Sequence, residues 1–132
     1  EVLAHALHQW GQDALKKLEG MWAFAWYNET TGTLLLSRDR FGEKPLYLWS
    51  KNNGLYFASE VKGLAAIAND SPKINENHLI RNLVNGYKSL YKTNETFFLD
   101  VKEKFYQKIF IEKTLKHLNF MIFTFPNHKK NI

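Results

Sequence analysis

The sequence predicts an α+β fold in which stacked sheets lie between helices, and three observations lead to this prediction. Residues 21–28, MWAFAWYN, alternate bulky and small apolar side chains, so both faces of this predicted strand are apolar. Two hairpins are predicted, one on each side of the stretch RDRFGEKP at residues 38–45. Apolar residues at helical spacing precede the first hairpin and follow the second. At 132 residues, 45% of them hydrophobic, the chain suits one folded domain.

The first predicted helix is an amphipathic segment that contains one glycine. Its apolar residues recur at helical spacing at Leu3, Leu7, Trp10, Ala14, Leu15 and Leu18. Gly11 is expected to break or bend the helix, and Gly20 to end it as a left-handed C-terminal cap. His5 and His8 lie one turn apart, but no third ligand is evident nearby, so we interpret them as part of a solvated face rather than as a metal site.

The strand patterns form two hairpins joined by the charged stretch. The predicted strands cover residues 21–28 and 33–37 in the first hairpin, and residues 46–50 and 55–59 in the second. Because both faces of the first strand are apolar, we expect it to be buried on both, with its small face against a second sheet and its bulky face under helices. Between the hairpins, Gly42 can adopt a positive φ and Pro45 fixes the entry to the next strand.

Two more helices are predicted after the second hairpin. A short one begins with Ser59 as its N-cap and Glu60 in its first turn. The next covers residues 74–87, with Asn75 as its N-cap. Its predicted apolar face consists of Leu79, Leu83 and Tyr87. Beyond Asp100 neither a helical nor a strand period persists, so no regular structure is predicted there.

Composition and charge argue against several classes of function. The net charge of +5 lies entirely in residues 101–132, since residues 1–100 contain eleven basic and eleven acidic side chains. A neutral body does not favour nucleic-acid binding. No apolar run is long enough to span a membrane, and no signal peptide is evident at the start. The sequence has no cysteine, which excludes disulfides and thiol nucleophiles within it and fits a cytoplasmic location.

Three blocks of sequence resemble a known family. They are LEGMWAFAWYN, LLLSRDRFGEKPLYL and GLYFASEVKGLAA. In this order and spacing they resemble the second half of the glutaminase domain of glutamine-dependent asparagine synthetases, which are class II glutamine amidotransferases. The resemblance covers residues 1–101. It implies an αββα four-layer sandwich of the N-terminal-nucleophile hydrolase type, of which this chain would hold an incomplete part.

The resemblance also implies a reaction. In that family an N-terminal cysteine attacks the side-chain amide of glutamine, and ammonia passes through an internal tunnel to a synthetase domain. There ATP and magnesium activate aspartate, which ammonia converts to asparagine. This sequence contains neither a cysteine nor a Gly-rich nucleotide loop. We therefore expect no catalytic, substrate-binding or metal-binding residue and no cofactor in this chain, and inactivity when it is isolated.

The same resemblance implies partners and a small set of site residues. The expected partners are the first half of the glutaminase domain and a C-terminal synthetase domain. A homodimer is one option for the assembly of the parent enzyme. Five residues match positions near the family's ammonia tunnel or domain interface: Met21, Arg38, Asp39, Glu43 and Lys44. The tunnel wall is usually apolar there, and the two charged residues at positions 43 and 44 depart from that pattern. The structural alternative for Met21 is a plain core position. The alternative for Arg38 and Asp39 is a turn stabilised by its own ion pair.

Three interpretations of the whole chain stay open. We favour part of an asparagine synthetase, with residues 102–132 forming a divergent basic tail that is either disordered or the product of a reading-frame change. The second is part of another ATP-dependent amidotransferase with a different acceptor. The third is a non-catalytic interaction module.

Overall fold

A computed structural model describes residues 1–51, 54–86, 96–103 and 109–112 of the chain. It contains three α-helices, a 3₁₀ helix and six strands in these residues. The helices are α1 (Val2–Trp10), the 3₁₀ helix (Gly11–Lys16), α2 (Val61–Ala68) and α3 (Glu76–Asn85). The strands are β1 (Ala23–Asn28), β2 (Thr33–Arg38), β3 (Tyr47–Lys51), β4 (Gly54–Ala58), β5 (Val101–Glu103) and β6 (Ile109–Glu112). The predicted α+β class is confirmed, and both predicted hairpins are present.

The strands form two antiparallel three-stranded sheets. The first has the order β1-β2-β6 and the second the order β4-β3-β5. Each hairpin therefore supplies two strands of one sheet, while the third strand of each sheet comes from residues beyond 100. No regular structure was predicted in that part of the sequence, so β5 and β6 correct the prediction. The rest of the predicted tail lies outside the described residues.

Strand β2 contributes to two apolar clusters, because its side chains alternate between its two faces. Leu35 packs with Leu7 and Leu15 from the first helical segment. Leu34 and Leu36 point the other way and pack with Leu46, Leu48, Leu55 and Phe57 of the second hairpin. A third cluster joins the second sheet to α2 through Trp49, Ala58, Leu64 and Val101. The period-two alternation of a strand thus connects the first helices to the second sheet.

The prediction that the first strand is buried on both faces is wrong. Phe24 and Trp26 do pack beside α1, as expected, and Ala23 packs towards the second sheet. Ala25 is exposed, however, and Tyr27 is 39% exposed. Strand β1 is at the edge of its sheet in the described residues. In that sheet β2 has neighbours on both sides and is buried along most of its length.

The first helical segment follows one glycine prediction and contradicts the other. Gly11 ends α1 with φ 52°, and its N–H donates to the carbonyl of Leu7. The chain then continues as a 3₁₀ helix whose C-cap is Lys17. Gly20 has a positive φ of 96° but lies in the connection to β1, so it does not cap a helix. The tighter 3₁₀ turn ends the helical segment several residues earlier than the apolar pattern predicts.

The caps of the other two helices were predicted with mixed success. Glu60, not Ser59, is the N-cap of α2, and its carboxylate forms an ion pair with Lys62 at 2.7 Å. Asn75 caps α3 as predicted, accepting the N–H of His78 at 3.1 Å. The predicted apolar face of α3 is not buried, because its members Leu79 and Leu83 are both exposed. Tyr87, the third member of that face, lies outside the described residues.

Candidate functional site

The candidate site is the connection between the two sheets, residues 38–45, which we call the corner. It leaves the first sheet at the end of β2 and enters the second at the start of β3. At its centre is Asp39, whose side chain is 1% exposed. A carboxylate this deeply buried needs hydrogen-bond donors, because an uncompensated buried charge is strongly unfavourable.

Backbone N–H groups satisfy both oxygens of this carboxylate. Oδ1 of Asp39 accepts from Phe41 at 3.1 Å and from Glu43 at 3.0 Å. Oδ2 accepts from Lys44 at 3.0 Å and from Trp22 at 3.3 Å. Three of these donors belong to the corner and the fourth to the segment entering β1. The carboxylate therefore fixes the path of the corner and joins it to the first hairpin.

This environment determines the protonation state of Asp39. Burial raises the pKa of the carboxyl, but the backbone donors at Lys44, Glu43, Trp22 and Phe41 lower it more, so the pKa lies below its ordinary value of 3.8. A carboxylate with a low pKa and four donors is a weak proton acceptor. Asp39 is therefore suited to hold structure rather than to act as a general base.

Arg38 connects the corner to the second sheet. Its Nη2 donates to the carbonyl of Gly42 and lies 3.1 Å from Oε1 of Glu103 in β5. Glu103 is paired in register with Tyr47 of β3. Burial raises the pKa of the Tyr47 hydroxyl, the Glu103 carboxylate raises it further, and the Arg38 guanidinium lowers it. An ion pair with one partner buried thus links the end of β2 to β5 and β3.

Gly42 is required by the geometry of this corner. Its φ is +70°, a conformation that L residues with a side chain rarely adopt. A Cβ at this position would lie 2.8 Å from Nη2 and 2.9 Å from Cζ of Arg38. The positive φ predicted from the sequence is confirmed, and the close approach of the arginine is a second reason for glycine here.

The segment before β1 completes the site. The backbone N–H of Asp39 donates to the carbonyl of Trp22 at 2.8 Å, in addition to the bond from Trp22 to the carboxylate. The indole Nε1 of Trp22 donates to the Ser37 hydroxyl at 3.0 Å. Met21 is therefore held next to the corner, with its side chain 61% exposed.

All five residues selected from the sequence lie in or beside the corner. Arg38 and Asp39 are buried, whereas Glu43 and Lys44 are exposed and contribute only their backbone N–H groups to Asp39. The interpretation of Met21 as plain core is wrong, because the side chain is mostly exposed. The alternative of a turn held by its own ion pair is also corrected: Arg38 pairs with Glu103, and the Asp39 carboxylate is bound by backbone N–H groups.

Sequence reasoning missed two participants, Trp22 and Glu103. For the corner itself a signal was present, since an Asp in a turn often accepts backbone N–H groups a few residues on. Nothing in the sequence placed Trp22 on that carboxylate, since its indole was interpreted only as an apolar side chain. Glu103 lies far along the chain in a stretch for which no strand was predicted, so its position beside Arg38 could not be predicted from the sequence.

Neither a metal-ligand cluster nor a membrane-spanning helix is found among the described residues. Across residues 1–51, 54–86, 96–103 and 109–112 no group of three His, Asp or Glu side chains could hold a metal ion. Within the same ranges no helix has the length and apolar character needed to cross a bilayer. His5 and His8, the pair considered as metal ligands, are both exposed on α1.

Comparison with known proteins places this geometry in a family. Residues 1–115 match the model of the glutamine amidotransferase domain. The chain belongs to the glutamine amidotransferase domain family. The match includes both hairpins, the corner, all three α-helices and both late strands.

Curated relatives of this amidotransferase domain are named asparagine synthetases. The chain is 38% identical over 77 residues to a putative glutamine-hydrolysing asparagine synthetase 2 of Methanocaldococcus jannaschii, covering 58% of this chain and 15% of the relative. It is 43% identical over 70 residues to asparagine synthetase 1 of Bacillus subtilis, covering 53% of this chain and 11% of the relative. A third relative, from Triphysaria versicolor, is 26% identical over 92 residues, covering 69% of this chain and 16% of the relative. The chain thus spans about a sixth or less of the length of these three relatives.

Proposed function

We propose that this chain is part of the glutaminase domain of a glutamine-hydrolysing asparagine synthetase, and that it serves as scaffold rather than as catalyst. The observation that carries the proposal is the match of residues 1–115 to the glutamine amidotransferase domain, together with relatives named as asparagine synthetases. These names favour asparagine synthesis over the alternative of another acceptor.

The fold belongs to the same proposal. We infer an incomplete αββα sandwich of the N-terminal-nucleophile hydrolase type. Its support is the order of apolar contacts, from α1 through Leu35 of the first sheet, across Leu34 and Leu36 to the second sheet, and from Trp49 to α2. The open edge of β1 within the described residues is where the rest of the first sheet would continue.

The scaffold role follows from the chemistry of the residues present. The sequence contains no cysteine, so it supplies no thiol to attack glutamine. The buried carboxylate of Asp39 is occupied by backbone donors and has a lowered pKa, which argues against a role in proton transfer. We propose that the isolated chain does not hydrolyse glutamine.

The corner has a specific place in this proposal. Met21, Glu43 and Lys44 are exposed, and Asp39 binds the backbone N–H groups of Glu43, Lys44 and Trp22, the residue after Met21. We propose that this surface faces the synthetase part of the longer enzyme and lies beside the path of ammonia. Aspartate, ATP and magnesium would bind in that other part, since the described residues contain no cluster that fits a metal ion.

A chimaeric enzyme tests the proposal. Residues 1–115 of this chain would replace the corresponding segment of Bacillus subtilis asparagine synthetase 1, and asparagine formation would be measured with glutamine and with ammonia as nitrogen donor. We expect both activities to persist, because the exchanged segment is scaffold. An enzyme that still uses ammonia but no longer uses glutamine would contradict the proposal, since part of a glutaminase domain should support the glutaminase of a relative.

A further inference from the structure

The C-terminal end of α3 places an asparagine and a glycine next to each other on the surface. Asn85 is the last residue of the helix, and Gly86 is the C-cap that follows it, with φ 64° and ψ −168°. Both residues are exposed. Asparagine is among the thermolabile residues of proteins, because the backbone nitrogen of the next residue can displace its side-chain amide. The end of α3 is therefore a place where the chain can modify itself.

Glycine is the residue that hinders this displacement least. It has no Cβ, so no side chain lies beside the attacking nitrogen. A Cβ at Gly86 would meet nothing within 4 Å, so the space around this residue is open as well. Asn82 lies one turn earlier in the same helix and is followed by Leu83, whose branched side chain shields the corresponding nitrogen. The two asparagines of α3 should therefore differ in reactivity.

The closed helix holds this pair in a conformation that does not react. The Gly86 N–H donates to the carbonyl of Asn82. Helical residues have a ψ of about −42°, which keeps the next nitrogen out of line with their own side-chain amide. Attack requires that the hydrogen bond to Asn82 break and that ψ of Asn85 rotate. Since the ends of helices fray and open at a free energy near zero, this requirement slows the reaction only modestly.

We propose that Asn85 is a site of spontaneous deamidation, gated by opening of the last turn of α3. The Gly86 nitrogen loses its proton to solvent hydroxide and forms a bond to Cγ of Asn85. The bond from Cγ to the side-chain nitrogen breaks, and that nitrogen takes a proton from water and leaves as ammonia. The resulting succinimide ring takes up one water and opens at either carbonyl, which gives aspartate or isoaspartate. The reaction needs only water and is independent of the proposed function.

Deamidation would change the end of α3 in a definite way. Either product carries a carboxylate in place of a neutral amide, at the end of the helix where the dipole is negative. Isoaspartate also adds a methylene group to the main chain before Gly86, which alters the spacing of the hydrogen bond to Asn82. The modified chain should therefore hold the last turn of α3 less tightly.

Peptide mass spectrometry of the aged 132-residue chain tests the inference. Trypsin cleaves after Arg81 and Lys88, so Asn82 and Asn85 are released in one peptide, apart from the second Asn-Gly pair of the chain at residues 53–54. Fragmentation of this peptide assigns each conversion of amide to carboxylic acid to one asparagine or the other. Conversion would be followed over time in the folded chain and in the chain unfolded in guanidinium chloride, at neutral and at mildly alkaline pH.

In the folded chain we expect Asn85 to convert at least about tenfold faster than Asn82, and within about tenfold of its own rate in the unfolded chain. We also expect the rate to rise with pH, because the attacking nitrogen must lose its proton. Similar rates at the two asparagines would overturn the inference, since the glycine would then have no effect. A rate at Asn85 more than about tenfold below that of the unfolded chain would also overturn it, since the helix would then protect the site.

The variant Asp39→Asn distinguishes local opening from global unfolding. It removes a buried carboxylate of the corner and leaves the sequence of α3 unchanged. Deamidation through fraying of the last turn should therefore proceed at the wild-type rate. Acceleration in proportion to the loss of global stability would overturn gating by the helix end, because Asn85 would then react only in unfolded molecules.

Discussion

The carboxylate of Asp39 joins the corner to the segment that enters β1. It accepts two N–H groups at each oxygen, from the corner and from Trp22 before β1. Arg38 beside it reaches Glu103 in the second sheet. The position of the exposed side chains of the corner therefore depends on groups that are themselves buried. Substitution of these buried groups should mainly lower the stability of the fold, and through it alter the positions of the exposed side chains of the corner.

Asp39→Asn is expected to lower the free energy of unfolding at pH 7 by about 2–3 kcal/mol, because an amide nitrogen cannot accept the N–H groups that Oδ2 now binds. Urea unfolding measures this loss. Asp13→Asn is the control, since that exposed carboxylate forms a surface ion pair with Lys16, and the substitution should cost less than about 1 kcal/mol. Equal losses for the two variants would contradict the role of Asp39.

The same residue makes stability depend on pH. The folded-state pKa of Asp39 lies below its ordinary value of 3.8, so its contribution is present above that pH and is lost as pH falls through the folded-state pKa. Unfolding of the wild-type chain between pH 5 and pH 2 should therefore show a loss of stability that Asp39→Asn does not share. Parallel curves for the two proteins would show that the carboxylate does not contribute in this way.

Gly42→Ala tests the close approach of Arg38 to the backbone. The substitution imposes both a strained φ and a Cβ that lies within 3 Å of the guanidinium. Gly32→Ala separates these effects, since Gly32 has a φ of +65° and nothing within 4 Å of its Cβ position. We expect Gly32→Ala to cost about 1 kcal/mol and Gly42→Ala at least about 1 kcal/mol more. Similar unfolding free energies would mean that the arginine moves aside freely.

At the scale of elements, the sequence predicted what local chemistry determines. The hairpins, the break at Gly11 and the cap at Asn75 each depend on residues close together in sequence, and each is confirmed. The burial of β1 and of α3 depends on which elements lie beside them, and both predictions were wrong. In α3 the apolar pattern predicted the helix correctly, but tertiary contacts of His78 decided which side faces inward.

Asn75→Ala should destabilise the attachment of α3. The side chain satisfies the free N–H of His78 in the first turn, and loss of such a cap typically costs about 1 kcal/mol. Hydrogen exchange of the α3 amides measures the effect, which we expect to be larger there than in α2. Asn77→Ala, at an exposed position of the same helix, is the control. Equal effects of both variants would indicate that the cap is not needed.

At the scale of the whole molecule, the two sheets are held together by apolar packing and by the corner. Leu34 and Leu36 provide the apolar contact, and the pair of Arg38 and Glu103 provides the polar one. The family blocks in the sequence identified the glutamine amidotransferase domain, and the match of residues 1–115 confirms it. The third strand of each sheet and the partner of Arg38 could not be predicted, because both come from residues without a recognisable period.

Release of glutamate from glutamine is the measurement that tests the central claim most directly. The purified 132-residue chain and the chimaera carrying its residues 1–115 would be assayed side by side. A scaffold without a nucleophile predicts no release above the uncatalysed rate by the chain alone, and release by the chimaera. Glutamine hydrolysis by the chain alone would contradict the account, because it would show a catalytic group among residues that we interpret as structural.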